Sequence, residues 1–77
     1  MSIAKMKKVL ETFAKRLRDL RLEKGVSQRA VADFLQISQP SYIRYELRTG
    51  EPSLETLAKL AGFFQVSAGY LLGLEEY

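Results

Sequence analysis

The sequence predicts an all-α orthogonal bundle of five helices, and three observations predict it. Apolar residues recur at spacings of three and four through most of the chain, the period of helices that each bury one stripe. No segment alternates with the period of two that a half-buried strand needs. Helix stop and start residues punctuate the periodic segments: Gly25 with Ser27, then Ser38, Ser53, Ser67 and finally Gly73. At 77 residues the chain allows one domain, 1–77, with a modest core and little room for a large enzyme cavity.

Residues 1–24 read as one helix with a frayed start. Met6, Leu10, Phe13, Leu17 and Leu20 form an apolar seam, ringed by Lys5, Lys7, Lys8, Lys15, Arg16, Arg18 and Arg21. Such a cationic surround is the solvated face of a core helix rather than a membrane-surface segment, because a complete globular pattern follows it. Gly25 supplies the left-handed end. The second helix starts at Gln28 behind Ser27 as N-cap, and its buried stripe is expected at Ala30, Val31, Phe34 and Leu35.

Gln36-Ile37-Ser38 breaks the period, with Ile37 placed to plug the angle between two helices. The next helix begins around Gln39-Pro40, where proline is tolerated because first-turn amides lack intrahelical partners. Its cap is Ser38 or, since a residue before proline avoids the αR region, Gln39. Together, residues 28–47 form two short helices joined by a tight turn.

The loop 48–52 is rich in turn residues. Ser53 opens a fourth helix whose expected stripe is Leu54, Leu57, Ala58, Leu60, Ala61 and Phe64. Gly62 within it costs about 1 kcal/mol against alanine, which implies close packing or an early helix end there. Val66-Ser67 repeats the apolar-then-cap junction and opens a fifth helix, 68–72, closed by Gly73. The tail 74–77 is expected to be loose in a monomer, with Glu75 and Glu76 as solvated charge.

Composition removes several function classes. The chain has neither cysteine nor histidine, so it lacks a thiol nucleophile, a disulfide framework, the commonest general base and the commonest transition-metal ligand. No cofactor, metal site or enzymatic activity is expected. No run of about 18 apolar residues suggests a membrane span, and nothing resembles a leader, so a soluble cytoplasmic protein is expected. Charge is unevenly distributed: through Gly50 there are 11 Lys and Arg against five acids, and from Glu51 onward one lysine against four. A basic two-thirds with an acidic end suits a protein that turns one face to a polyanion.

The third helix carries the functional signal. Tyr42, Tyr45 and Glu46 share a face that can pack inward, which leaves Gln39, Ile43, Arg44, Leu47 and Arg48 pointing elsewhere. Glutamine suits adenine edges in the major groove, arginine suits guanine, and aliphatic groups suit thymine methyls. Glu46, packed inward, needs a cation and hydrogen bonds. Phe63 and Tyr70 exceed what one short helix can hide, so they are expected, with Leu74 and Tyr77, to form a seam between two copies.

The string VSQRAVADFLQISQPSYIRYELRTGEPSLETLAKLAGFFQVSAGYLLG resembles the helix-turn-helix domain of the Xre/lambda-repressor-like (Cro/C1-type) family of bacterial and phage regulators. The resemblance covers roughly residues 10–73. It rests on the Gly-Val-Ser-Gln entry, Ala32, Ile-Ser at the turn, Arg-Tyr-Glu, Pro-Ser-Leu-Glu-Thr-Leu, and the closing Val-Ser and Leu-Leu-Gly. It implies a five-helix lambda-repressor-like fold, double-stranded DNA as partner, and a homodimeric repressor on a palindromic operator, associated with the nucleoid when bound.

By that resemblance Gln28 bonds a phosphate and braces the first recognition residue, while Gln39, Pro40 and Arg44 face bases. Ser38 and Ser41 contact backbone or adjacent groups, and Arg21 pairs with Glu46. Arg29 and Arg48 are expected on phosphates, and Ile43 on thymine methyls. An antitoxin-like module that grips a protein partner through its C-terminal surface is the alternative.

Four positions depart from the family pattern. Gln36 stands where glycine is frequent, Tyr42 where Ile or Val is usual, and Pro40 can offer only apolar contact. The glycine that commonly follows the glutamate by two residues is missing, its place taken by Arg48.

Overall fold

The computed structural model describes residues 2–76. It contains five helices: α1 (Ile3–Lys24), α2 (Gln28–Leu35), α3 (Gln39–Glu46), α4 (Leu54–Phe64) and α5 (Ala68–Leu72). No strand occurs among the described residues. α1 has 22 residues, about 33 Å at 1.5 Å per residue, and the long axis of the molecule is 33 Å. α1 is therefore the spine, with α3, α4 and α5 packed along it, while α2 packs on α3 and α5 on α4.

One junction is used three times. Gly25-Val26-Ser27, Gln36-Ile37-Ser38 and Gln65-Val66-Ser67 each begin with a left-handed residue, at φ 75°, 60° and 57°. The middle residue donates its N–H back to the carbonyl five residues earlier, Val26 to Arg21, Ile37 to Ala32 and Val66 to Ala61. That bond satisfies one of the carbonyls a helix end leaves open. The same side chain is partly buried against the core, and the serine then caps the next helix by accepting from Ala30, Ser41 or Tyr70 N–H. Each junction thus ends one helix, fixes the angle and starts another within three residues.

Ser38 is the cap of α3, with Gln39 as its first helical residue. The proline restriction at Gln39 is outweighed here by the Ser38 Oγ bond to Ser41 N. Gln36 and Gln65 carry side chains in a region that usually favours glycine, at a cost of order 1 kcal/mol each.

The core is Phe13, Leu17, Val31, Ala32, Leu35, Tyr42, Leu57, Leu60, Ala61, Phe64 and Leu71. It corrects several expected stripes. In α2 the buried set is Val31, Ala32 and Leu35, whereas Ala30 is exposed and Phe34 half-exposed. In α4, Leu54 and Ala58 are exposed. In α1, Met6 is 41% exposed and Ala14 is buried instead. The cause is common to all three: periodicity sets the width of an apolar stripe, but the neighbouring helices decide which edge of it is covered.

Gly62 neither packs closely nor ends α4, because the helix continues to Phe64 and a Cβ there would meet nothing within 4 Å. The tail is not loose through Glu76. Arg16 Nη1 donates to the carbonyls of Tyr70 and Glu75 at 2.6 and 2.7 Å, and its guanidinium lies 4.3 Å from the Tyr70 ring centroid. Glu75 also accepts from Ser67 Oγ, and Glu76 sits 3.8 Å from Arg16. Both glutamates are exposed, as expected of solvated charge, with Glu75 also tied to Ser67. Tyr77 lies outside the described residues.

Candidate nucleic-acid interface

α3 is short, and its two sides differ sharply. Its inner side is occupied by Tyr42, which is fully buried, and by Glu46, whose side chain is 3% exposed. Arg21 closes on the Glu46 carboxylate with two bonds, Nε to Oε2 at 2.6 Å and Nη2 to Oε1 at 3.1 Å. The Tyr42 hydroxyl donates to Oε2, and Gln28 Nε2 donates to Oε1 at 3.2 Å. Arg21 also donates to the carbonyl of Val26, so α1, the start of α2 and the end of α3 meet at one carboxylate.

The electrostatics of this hub follow from the packing. Burial by itself pushes the Glu46 pKa up, but hydrogen bonds from Arg21, Tyr42 and Gln28 and the charge of Arg21 together hold it below the ordinary glutamate value. The Arg21 guanidinium is raised, chiefly by its bond to Glu46 and against the effect of burial. Burial first, and then the bond to Glu46, raises the Tyr42 phenol. The glutamate is therefore a charged, fully bonded pin.

The outer side of α3 is free of such ties. Pro40, Ser41 and Arg44 are exposed, and Gln39 and Ile43 are half-buried. Arg44 Nη2 makes only a 3.3 Å contact to the Thr49 carbonyl. Ser38 donates its hydroxyl proton to Ser41 Oγ at 2.8 Å while accepting from Ser41 N, so both serines sit at the α3 N-terminus. Gln28 braces Glu46 in this structure. Arg29 is exposed and makes no hydrogen bond or ion pair among the described residues.

Arg48 adopts φ 67°, so the loop keeps a left-handed turn two residues past Glu46 even though glycine is absent. Its guanidinium turns to α1 and meets Glu11 at 2.7 Å. The seam residues lie elsewhere. Phe63 meets Phe34 with centroids 4.7 Å apart and rings tilted by 42°, and faces the Lys24 ammonium at 5.2 Å. Tyr70 lies under Arg16, and Leu74 is 72% exposed. Sequence reasoning missed the contact of Phe34 with Phe63, Tyr42 Oη as a partner of Glu46, Arg16 as the clamp on the tail, and Glu11 as the partner of Arg48. Only Tyr42 carried a local signal, its helical spacing of four from Glu46.

A capped α2, a three-residue turn and an α3 pinned from behind and bare in front make a helix-turn-helix. The helix-turn-helix family model HTH_3 matches residues 17–71, and the chain belongs to this Xre/Cro-C1-type family of DNA-binding domains. It is 45% identical over 60 residues to the SPbeta prophage-derived uncharacterized HTH-type transcriptional regulator YonR of Bacillus subtilis, covering 78% of this chain and 56% of that protein. It is 38% identical over 64 residues to the cryptic phage CTXphi transcriptional repressor RstR of Vibrio cholerae, covering 83% and 58%. It is 33% identical over 64 residues to the HTH-type transcriptional activator BcrR of Enterococcus faecalis, covering 83% and 31%. The chain thus spans little more than half the length of the first two. No solved structure matches it. No helix among the described residues is long and apolar enough to cross a membrane.

Proposed function

We propose that the chain is the DNA-reading module of a sequence-specific transcriptional repressor that binds an inverted repeat as a homodimer. The observation that carries the reading is the asymmetry of α3. On its inner side the Glu46 carboxylate and the Tyr42 hydroxyl are bonded inside the protein, while Gln39, Pro40, Ser41, Ile43 and Arg44 are left on the other side. Gln39 and Arg44 read base edges, Pro40 and Ile43 make apolar contacts, and Ser38 and Ser41 approach the backbone. Gln28, Arg29 and Arg48 serve phosphates. The assignment of a repressor is supported by the likeness to RstR, whose name states that role. Pairing is assigned to the surface of Phe63, Tyr70 and Leu74, which keeps apolar area available at the acidic end of the chain.

Selection of bound sequences from a random duplex library at moderate salt tests this reading. An enriched inverted repeat with half-sites about 34 Å apart, or a multiple of that, is the expected result. Enrichment of a single half-site would remove the dimer, and loss of all enrichment would remove sequence-specific reading. Arg44→Ala should weaken binding to the selected site by about 1–3 kcal/mol and relax one base pair. Equal weakening on selected and random DNA would take base reading away from Arg44.

A further inference from the structure

Glu11 has no part in the function proposed above, yet it occupies a telling place. A cleft of about 440 Å³ lies between the flank of α1 and the end of α3, lined by Glu11, Lys15, Arg18, Glu46 and Arg48 among others. A second hollow continues it past Lys7 and Leu10. Glu46 is locked in the hub and Lys15 is paired with Asp19. Arg18 and Lys7 make no hydrogen bond or ion pair among the described residues. Of the two carboxylates in the wall, Glu46 is therefore already matched by Arg21, and Glu11 is held by Arg48 at 2.7 Å.

We propose that this cleft binds a backbone phosphate of the DNA that α3 reads, with Arg48, Arg18 and Lys7 as its cations and Glu11 as the gate that occupies Arg48 until a phosphate replaces it. The proposal rests on the reading that α3 enters the major groove. α3 has eight residues, about 12 Å at 1.5 Å per residue, which matches a major groove about 12 Å wide. The cleft opens beside Glu46 and Arg48 at the C-terminal end of α3, and phosphates line both edges of the groove such a helix enters. The left-handed backbone of Arg48 (φ 67°) turns this side chain back along α1 and into the cleft. Both partners of the ion pair are more than half exposed, 56% and 57%, so exchange of the carboxylate for a phosphate needs no unpacking. Glu11 then tunes overall affinity rather than sequence choice, because it taxes a contact that every DNA sequence offers equally.

The test is a double-mutant cycle with Glu11→Gln and Arg48→Ala, read as affinity for the selected duplex and for a random duplex over a range of salt. Glu23→Gln serves as a control of equal charge on the same helix. Glu11→Gln is expected to tighten binding to both duplexes about two- to fivefold at low salt. In the Arg48→Ala background the same change should have less than half that effect on a logarithmic scale, and Glu23→Gln should have less effect than Glu11→Gln. Equal effects of Glu11→Gln with and without Arg48, or equal effects of the two glutamine variants, would reduce Glu11 to a bulk charge and overturn the gate while leaving DNA binding intact. A wild-type chain with no salt-sensitive affinity for any duplex would overturn the DNA reading and the gate together.

Discussion

Two ion pairs tie α1 to the end of α3 from positions two residues apart, and they are different kinds of bond. Arg21–Glu46 closes at 2.6 Å and Arg48–Glu11 at 2.7 Å, so length does not distinguish them. Solvent does: the side chains of the first pair are 11% and 3% exposed, those of the second 56% and 57%. A buried carboxylate persists as a charge only when every lone pair is served, and Glu46 draws on Arg21, Tyr42 and Gln28 for that. At the surface, water replaces either partner at little cost, and such a pair contributes about 0–1 kcal/mol. The same chemistry therefore fastens the recognition helix at one site and leaves a releasable latch at the other.

The largest expected break in this comparison is Arg21→Ala. It strands a buried charge and should cost about 3–5 kcal/mol in urea unfolding; a loss below about 1 kcal/mol would mean that Glu46 is wetted rather than pinned. Tyr42→Phe keeps the ring in the core and removes one donor to the carboxylate, for an expected loss of about 1.5–3 kcal/mol.

Acid should act through the same group. The folded pKa of Glu46 is held below its unfolded value, so its stabilisation is fully present above an unfolded glutamate pKa of about 4.3. It is lost as pH falls through the lowered folded value. Glu46→Gln should flatten that limb of the stability–pH curve, and an unchanged limb would place acid sensitivity elsewhere. The smallest effect is expected at the exposed pair, where Arg48→Ala should change stability by less than about 1 kcal/mol. A larger loss would make Arg48 a structural member of the loop and not a free contact.

The helix ends show how much a chain can disclose about itself. Ser27, Ser53, Ser67, Gly25 and Gly73 act where their local chemistry places them, because a cap is made within three or four residues of its own position. Local chemistry also marked α3 as the helix with polar groups to spare, and the kinship of its turn pointed to Arg21 as the partner of Glu46. It did not place Phe34 or Leu54 outside the core, although both fit the period of their helices. Nor did it show that the tail is held by Arg16, whose bonds reach carbonyls 54 and 59 residues away.

The residues alone determined five helices and most of their ends and marked α3 as the helix with polar groups to spare, since each depends on neighbours within one or two turns. The α3 cap and the end of α4 were settled only by the structure. Tertiary structure decided which edge of each apolar stripe is covered, that Tyr42 and Gln28 converge with Arg21 on Glu46, and that Arg48 rests on Glu11. These depend on the crossing of helices brought together across the chain. Burial, which separates a pin from a latch, exists only once those helices have met.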